Sequence, residues 1–376
     1  MEKIKTKILV LFGTRPEAIK MAPLVKAFKQ NNDSFETKVC ITGQHKEMLD
    51  QVISFFDIAV DFDLKVMKPQ QNLHSLTATI INELKPIMDD FMPDYVFVHG
   101  DTTTTMAGSL SAFYSGAKIA HIEAGLRTNN KLSPFPEEMN RQITTRLTDY
   151  HFAPTQESKE NLLKENIDLN KIIVTGNTVI DALLDSVQKV NDHPSELSVS
   201  LNKTIGSRDL ILVTGHRREN HGQGFLNICN ALKQIAQLKP DVIIIYPVHL
   251  NPNVQQPVNA ILHDVPNILL TEPKSYEDFI WLMNKAKIII TDSGGVQEEA
   301  PSLGKPVLVL RETTERPEAV HAGTVLLVGT DTLKIVSETI ALLDDQKKYD
   351  LMSKAHNPYG DGNACARILQ FMKSLN

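Results

Sequence analysis

The sequence predicts an α/β fold with two Rossmann-like domains, whose parallel sheets face a central cleft. Short apolar runs rich in Val and Ile recur along the chain, and longer amphipathic stretches separate most of them, which is the βαβ alternation of a parallel sheet. The alternation occurs in both halves of the chain. At 376 residues, 42% of them hydrophobic, the chain is long enough for about two domains of roughly 150 residues each.

The predicted strands fall into two groups. The first covers residues 7–12, 37–42, 94–99, 118–122, 150–153 and 172–175, and the second covers residues 210–214, 242–247, 268–270, 287–291, 306–310 and 324–328. Residues 191–208 (NDHPSELSVSLNKTIGSR) lack a sustained apolar period and carry Pro and several Ser, which indicates a linker. We therefore predict an N-terminal domain over residues 1–190, a C-terminal domain over residues 191–362 and a terminal helix over residues 363–376.

Composition and charge restrict the class of protein. The net charge of -6 argues against a nucleic-acid partner. The cysteines Cys40, Cys229 and Cys365 form no CxxC pair, so neither a disulfide framework nor a zinc site is indicated, and a reducing compartment is expected. The N-terminal apolar run is cut by Gly13, well short of the ~18 residues that span a membrane. These features predict a soluble cytoplasmic protein without a membrane partner.

Residues 288–310 (IIITDSGGVQEEAPSLGKPVLVL) are the most informative segment. Their pattern predicts a strand, a tight turn, a short helix and a second strand. Glycine lets the backbone approach a ligand, and the N–H groups at a helix start favour negative charge, so a phosphate group could dock on Ser293, Gly294 and Gly295. The carboxylates one turn further along this helix could then bind ribose hydroxyls.

Basic clusters follow the first strand of each predicted domain. GTRPEAIK places Arg15 and Lys20 near one helix entrance. GHRREN places His216 and Arg217 at the matching position of the second domain, where guanidinium groups can bind phosphate oxygens through paired N–H groups. The alternative is that both clusters are solvent-exposed charges at ordinary strand-to-helix turns without a ligand. Because both domains carry a cluster at the matching place, we favour a diphosphate clamp.

Three carboxylates of the first domain follow strands or lie in unusual loops: Asp101 in HGDT, Glu123 in HIEAG and Glu137 in PFPEE. Clustered acids in a partly dry cleft repel one another and raise at least one pKa, which suits proton transfer near neutral pH. Each could instead be a helix N-cap or a surface charge. On a helix after Pro136, Glu137 and Arg141 would lie one turn apart, so a salt bridge is the alternative role for that pair.

Motifs for a nicotinamide cofactor or a metal are incomplete. GQG at residues 222–224 and GDG at residues 360–362 lack the third glycine of a dinucleotide site, and GKP at residues 304–306 is no P-loop. DFD at residues 61–63 stands in a polar loop without further candidate ligands. We therefore expect neither a cofactor nor a metal.

Several longer motifs resemble those of one family. They are GTRPEAIKMAPLV at residues 13–25, HGDTTTT at 99–105, HIEAGLRT at 121–128, PFPEEMNR at 134–141, TGHRREN at 214–220, TDSGGVQEEAP at 291–301 and TERPEA at 314–319. Together they resemble the non-hydrolysing UDP-N-acetylglucosamine 2-epimerases, in the right order and over essentially the whole chain.

The resemblance implies a glycosyltransferase-B-like fold, with the last helix crossing back to the first domain, in a cytoplasmic homodimer. It implies reversible interconversion of UDP-N-acetylglucosamine and UDP-N-acetylmannosamine without NAD or metal, as a precursor supply for bacterial surface polysaccharide. Carried onto matching positions, it implies catalytic roles for Asp101, Glu123, Glu137 and His216, and substrate-binding roles for Arg15, Lys20, Arg141, Arg217, Ser293, Gly294, Gly295, Glu299 and Arg316.

Some members of the family are activated by UDP-N-acetylglucosamine at a neighbouring site. The residues that match this site are Gln44, His45 and His249. The chain departs from the pattern of strongly activated members at two positions, with Glu47 and Gln70 where Gln and Arg are expected. The sequence leaves activation undecided.

The chemistry explains why such residues are needed. No carbonyl acidifies the hydrogen on carbon 2 of the sugar, so we expect UDP to leave carbon 1 while a carboxylate removes that hydrogen, which gives 2-acetamidoglucal. An acid on the other face then protonates carbon 2, and UDP returns. A hydrolysing 2-epimerase, a glycosyltransferase of the same fold and a non-catalytic nucleotide-sugar sensor are the alternatives.

Overall fold

The computed structural model describes residues 5–43, 46–67 and 71–375, with the backbone alone for residues 46–48. The chain divides into two compact units, which we call unit 1 (Met1–Ala182 with Tyr359–Asn376) and unit 2 (Leu183–Pro358). Each unit is built on its own parallel sheet. The predicted fold class, two Rossmann-like α/β units, is confirmed.

Seven parallel strands form the sheet of unit 1, in the order β3-β2-β1-β4-β5-β6-β7. They are β1 (Thr6–Phe12), β2 (Phe35–Ile41), β3 (Phe62–Asp63), β4 (Tyr95–His99), β5 (Lys118–Ile122), β6 (Tyr150–Ala153) and β7 (Ile172–Val174). In the register of the central strands, Val10 of β1 pairs with Val39 of β2 and with Phe97 of β4.

Helices cover both faces of this sheet. They are α1 (Arg15–Gln30), α2 (Lys46–Phe55), α3 (Leu73–Phe91), α4 (Thr103–Tyr114), α5 (Glu137–Leu147), α6 (Gln156–Lys164) and α7 (Thr178–Asp192), with a 3₁₀ turn at Leu169–Lys171. Val10 packs in one buried cluster with Phe28 of α1, whereas Leu11 packs in another with Ile80 of α3. Because both faces of β1 are buried, the strand reads as a continuous apolar run rather than an alternating one.

Six parallel strands form the sheet of unit 2, in the order β10-β9-β8-β11-β12-β13. They are β8 (Asp209–Thr214), β9 (Val242–Pro247), β10 (Ile268–Thr271), β11 (Ile288–Thr291), β12 (Val307–Val309) and β13 (Val325–Leu327). The helices are α8 (Glu196–Ile205), α9 (Gln223–Leu238), α10 (Pro252–Leu262), α11 (Tyr276–Lys285), α12 (Gly294–Glu299), α13 (Pro317–His321), α14 (Thr332–Asp344) and α15 (Gln346–Ser353), with 3₁₀ turns at Arg218–Asn220 and Ala300–Leu303.

The last helix, α16 (Ala364–Ser374), belongs to unit 1. Ile368 and Met372 join the buried cluster that contains Phe28 of α1. The backbone N–H groups of Ala364 and Cys365 donate to the Asp181 carboxylate of α7 at 3.2 and 2.9 Å. These bonds cap the start of α16, where free N–H groups favour a negative charge.

Two elements differ from the sequence analysis. The segment expected to be a linker contains α8, because Ser195 caps a helix whose Leu201 and Ile205 are buried one turn apart. The DFD segment contributes the short edge strand β3, which pairs with β2. The two units divide inside α7, between Ala182 and Leu183. No helix formed by the described residues combines the length and the apolar character needed to cross a bilayer.

Candidate active site

The strand order places four of the predicted site residues at one position in each sheet. In unit 1 the order reverses between β1 and β4, and in unit 2 between β8 and β11. Open parallel sheets bind ligands beyond the carboxyl ends of their strands, at such a reversal. Arg15 and Asp101 follow the two strands of the first reversal, and His216 and Ser293 follow those of the second.

A buried carboxylate holds the turn that carries Arg15, the first residue of α1. Glu17 Oε2 accepts hydrogen bonds from the backbone N–H groups of Gly13 at 3.0 Å and Thr14 at 2.7 Å. Its other oxygen accepts a hydrogen bond from Thr102 Oγ1 at 2.7 Å. Burial raises the pKa of Glu17. Glu17, to which the sequence analysis gave no role, therefore ties the turn after β1 to the turn after β4.

Glu123 follows β5 with φ = 63°, a left-handed conformation that residues other than glycine rarely adopt. Its carboxylate forms an ion pair with Lys20 Nζ and accepts a hydrogen bond from Asn177 Nδ2 at 2.8 Å. Burial, the largest single cause, raises the pKa of Glu123, but the charges of Lys20 and His99 and the hydrogen bonds from Lys20 and Asn177 together outweigh it and lower the pKa to about 2. Repulsion among clustered acids therefore does not govern Glu123, because Lys20 neutralises it.

Asp101 is held by helix α5. Arg141 Nη2 lies 2.6 Å from Asp101 Oδ2, and Arg141 Nη1 lies 3.3 Å from Oε2 of the buried Glu138. Asn140 Nδ2 also donates to the backbone carbonyl of Asp101 at 2.8 Å. The alternative of a Glu137–Arg141 salt bridge is wrong, because Arg141 points to the other two carboxylates. The Glu137 side chain is partly exposed and makes no hydrogen bond or ion pair with any described residue.

Two buried histidines lie beside these acids. His121 Nε2 donates to the carbonyl of Gly100 at 2.7 Å, and His99 Nε2 lies 3.8 Å from Glu123 Oε2. Burial lowers the pKa of His121 to about 4 and that of His99 to about 3, so both rings are neutral at pH 7. The bond from His121 fixes the residue directly before Asp101. Both histidines lie within the quoted motifs, but neither had a predicted role.

In unit 2, the DSGG turn begins α12 as predicted. The Ser293 N–H donates to Thr291 Oγ1 at 2.9 Å, and Gly294 is the first helical residue. The guanidinium of Arg316 packs on this glycine: a Cβ at Gly294 would lie 2.6 Å from Arg316 Cζ. Arg316 Nε in turn donates to Glu298 Oε1 at 2.9 Å. The turn therefore needs glycine at position 294 for Arg316 to approach it.

His216 and Arg217 stand on a turn held by Asp292. Asp292 Oδ2 accepts hydrogen bonds from the backbone N–H groups of His216 at 2.9 Å and Arg217 at 2.8 Å. The ring of His216, whose side chain is 45% exposed, stacks on that of His249 with centroids 5.4 Å apart. Partial burial lowers the pKa of His216; the Asp292 charge opposes this shift, and His249 and Arg217 add to it. This role of Asp292 was not predicted, although an acid directly after an apolar strand signalled it.

The comparison with known proteins decides the family. The family profile described as UDP-N-acetylglucosamine 2-epimerase matches residues 26–373. This chain belongs to the UDP-N-acetylglucosamine 2-epimerase family. The UDP-N-acetylglucosamine 2-epimerases of Salmonella typhimurium and Escherichia coli K12 are 58% and 57% identical over 371 residues, which is 98% of this chain and of each relative. The crystal structure of the Neisseria meningitidis enzyme bound to UDP-GlcNAc has a TM-score of 0.85 at 50% identity, and covers 98% of this chain and 100% of that one.

Family membership confirms the resemblance inferred from the motifs, and with it the predicted enzyme class, an epimerase. Within unit 1 of this epimerase, Lys20 forms an ion pair with Glu123, and Arg141 forms one with Asp101. Within unit 2, His216 meets His249, which the sequence analysis assigned to a possible activator site. The other residues predicted for that site, Gln44 and His45, lie outside the described residues, as does Gln70.

Residues 5–43, 46–67 and 71–375, the described parts of the epimerase, contain no group of three His, Cys, Asp or Glu side chains that is placed to hold a metal ion. The DFD acids have backbone partners instead. Asp61 Oδ2 accepts the N–H of Val39 at 2.8 Å, and Asp63 Oδ1 accepts that of Lys65 at 3.1 Å. The three cysteines are buried free thiols.

Proposed function

We propose that this epimerase interconverts UDP-N-acetylglucosamine and UDP-N-acetylmannosamine without hydrolysing them, by elimination and re-addition of UDP. The observation that carries the proposal is the set of carboxylates after neighbouring strands of unit 1. Asp101 follows β4 and the ionised Glu123 follows β5, each held by a cation. Inversion at carbon 2 needs an acid and a base on opposite faces of the sugar, and a binding protein or sensor needs neither.

Unit 2 supplies the groups that hold UDP. The Ser293 hydroxyl and the backbone N–H groups of Gly294 and Gly295, at the start of α12, receive the diphosphate, and His216 and Arg217 add charge from the turn after β8. These donors stabilise the negative charge that develops on UDP as its bond to carbon 1 breaks. Arg316 contributes further positive charge, and Arg15 is a further substrate-binding residue. Glu299 binds the ribose hydroxyls.

Unit 1 supplies the proton transfers. When the bond between carbon 1 and UDP breaks, cationic character at carbon 1 acidifies the hydrogen on carbon 2, and a carboxylate among Asp101, Glu123 and Glu137 takes that proton. The electron pair of the C–H bond becomes the C1–C2 double bond of 2-acetamidoglucal. A carboxylic acid then protonates carbon 2 from the other face, and UDP re-adds to carbon 1. Elimination and addition involve no net oxidation, so the route needs no nicotinamide.

Arg141 and Lys20 position these acids. Arg141 sets the orientation of Asp101, and Lys20 keeps Glu123 ionised in the free enzyme. Losing the Lys20 partner would raise the pKa of Glu123 and make it a stronger base.

Product analysis tests the proposal against its closest rival. Purified enzyme is incubated with UDP-N-acetylglucosamine in water without added nicotinamide or metal, and ¹H and ³¹P NMR follow the products. We expect both UDP-sugars to reach a constant ratio with little free UDP. Accumulation of free N-acetylmannosamine with stoichiometric UDP would assign the chain to the hydrolysing branch instead. No change without an added sugar acceptor would indicate a glycosyltransferase.

We further propose that the enzyme works as a homodimer in the cytoplasm and supplies a precursor for surface polysaccharide. Three buried free thiols suit a reducing compartment. Phe113 and Tyr114, at the end of α4, are 59% and 69% exposed, and a second copy covering them would remove an apolar patch from water. Light scattering of purified protein gives the mass of the particle directly: a monomer mass at micromolar concentration contradicts the dimer.

A further inference from the structure

The carboxylate of Asp292 is fully buried beneath the turn that carries His216. One of its oxygens, Oδ2, is well satisfied: besides the backbone N–H groups of His216 and Arg217, the side-chain amide of Asn220 donates to it at 3.3 Å. These bonds fix the backbone on which the imidazole of His216 is mounted. A buried carboxylate is costly unless its oxygens find donors, so the partner of the second oxygen matters.

The second oxygen, Oδ1, is buried and accepts no hydrogen bond from the described residues. The Nδ1 atom of His216 lies 3.4 Å from it, slightly beyond an ordinary N–H···O hydrogen bond. A small rotation of the ring closes this gap. The stacked ring of His249 restricts the alternative positions that the His216 ring can take.

We infer that Asp292 is a positioning residue that holds His216 in the tautomer with its proton on Nδ1, and so presents Nε2 to the ligand. A carboxylate accepts and cannot donate, so the nitrogen that faces Oδ1 must carry the proton. The Nε2 lone pair is then free to take a proton when an anionic ligand arrives, and the resulting imidazolium is stabilised by the Asp292 charge. The same logic fixes the imidazole in other carboxylate–histidine pairs.

A purely structural role for Asp292 makes a different prediction. The three bonds to Oδ2 would hold the turn whichever nitrogen of His216 carries the proton. Only the pairing of Oδ1 with Nδ1 selects a tautomer. The tautomer of His216 therefore separates the two roles.

The test uses the full chain with ¹⁵N-labelled histidine, at a pH where His216 is neutral. The His216 signals are assigned by their loss in His216→Gln. We expect a protonated, pyrrole-type Nδ1 and an unprotonated, pyridine-type Nε2 in the wild type. A neutral His216 protonated mainly at Nε2, or an even mixture, would overturn the inference without any variant at position 292.

The variant Asp292→Asn adds a second readout. The side-chain carbonyl of the asparagine can still accept hydrogen bonds from the backbone N–H groups of His216 and Arg217. Its NH₂ group donates to His216 Nδ1, which moves the His216 proton to Nε2. The matched control is Asp278→Asn in the same unit. The Asp278 carboxylate accepts hydrogen bonds from the hydroxyl groups of Ser195 at 2.5 Å and Ser275 at 2.8 Å. We expect the control to keep the wild-type tautomer. An unchanged tautomer in Asp292→Asn also counts against the inference.

The catalytic consequence rests on the proposed function. Asp292→Asn should lower epimerase turnover by about 10²-fold or more, because the ring is held in the wrong tautomer, while Asp278→Asn stays near wild type. The two claims fail separately. Wild-type protein without epimerase activity, but with the Nδ1–H tautomer, would contradict the proposed function alone, and an active enzyme with the Nε2–H tautomer would contradict only the role of Asp292.

Discussion

Arg141 pairs with Asp101 rather than with Glu137, although Glu137 lies one helical turn before it. The 2.6 Å contact between Arg141 Nη2 and Asp101 Oδ2 joins α5 to the turn after β4. Arg141 is largely buried, and a partly buried charge is stable only beside an opposite charge. The pairing leaves the Glu137 carboxylate without an ion-pair partner among the described residues and fixes the orientation of Asp101.

Replacing Arg141 should therefore damage catalysis through Asp101. Arg141→Met should lower kcat by about 10²-fold, since an error of about 1 Å in the position of a reacting group costs this much. Arg146→Met on the same helix is the control, because among the described residues the Arg146 guanidinium donates only to the backbone carbonyl of Glu165, at 3.0 Å. Equal kcat values in the two variants would show that the Asp101 pairing has no catalytic role.

The three carboxylates should matter for turnover and not for nucleotide binding. Asp101→Asn, Glu123→Gln and Glu137→Gln keep the side-chain shape but remove the proton-transfer group, which is worth about 10²–10⁴-fold in rate. UDP affinity, measured by calorimetry, should stay within a few-fold of wild type. A residue whose variant turns over like the wild type is not one of the acid/base groups.

Gly295 tests the phosphate-binding turn. A Cβ at this position meets no atom within 4 Å, so Gly295→Ala should unfold at the wild-type temperature. If the diphosphate docks on this turn, the added methyl group lies in its way, and UDP should bind about tenfold more weakly. Calorimetric titration with UDP gives the affinity, and a thermal melt gives the unfolding temperature. Undiminished UDP affinity would place the diphosphate elsewhere.

His151 of β6 should make the protein sensitive to acid. It is buried, and neither ring nitrogen has a hydrogen-bond partner among the described residues; burial lowers its pKa to about 3. The unfolded chain, with a histidine pKa of about 6.5, binds a proton between pH 6.5 and 3 that the folded chain does not. Stability is therefore lost as the pH falls through this window.

Removing that imidazole should remove its share of the pH dependence. Between pH 7 and 5, urea titrations of His151→Leu should show a loss of unfolding free energy smaller than that of wild type by about 2 kcal/mol. His263→Leu, which removes a histidine whose side chain is 74% exposed, is the matched control for the change of residue type. Identical pH dependence in His151→Leu and wild type would mean that His151 is not held neutral.

The sequence predicted the elements and site turns that depend on local pattern. Apolar runs separated by amphipathic stretches marked the central strands, and the DSGG turn before α12 followed from its glycines. The two-residue strand β3 is too short to show a period. Helix α8 was missed because Ser195 and its neighbours suggested a loop, whereas Ser195 acts as an N-cap.

The partners of the buried charges were not predictable in the same way. Helical spacing offered Glu137 as the partner of Arg141, but Asp101, distant in sequence, takes that place. Glu17 and Asp292 each satisfy two backbone N–H groups of a turn. In a sequence, such acids look like ordinary caps, because only the fold shows which ones are buried.

Deuterium incorporation at carbon 2 tests the central claim most directly. The enzyme is incubated with UDP-N-acetylglucosamine in D₂O, and ¹H NMR follows carbon 2 of both UDP-sugars. We predict that UDP-N-acetylmannosamine forms with deuterium at carbon 2 and that the recovered UDP-N-acetylglucosamine acquires it as well, because the proton leaves and re-enters through the carboxylates of unit 1. Inversion at carbon 2 with the original hydrogen retained would contradict elimination and the roles assigned to Asp101, Glu123 and Glu137.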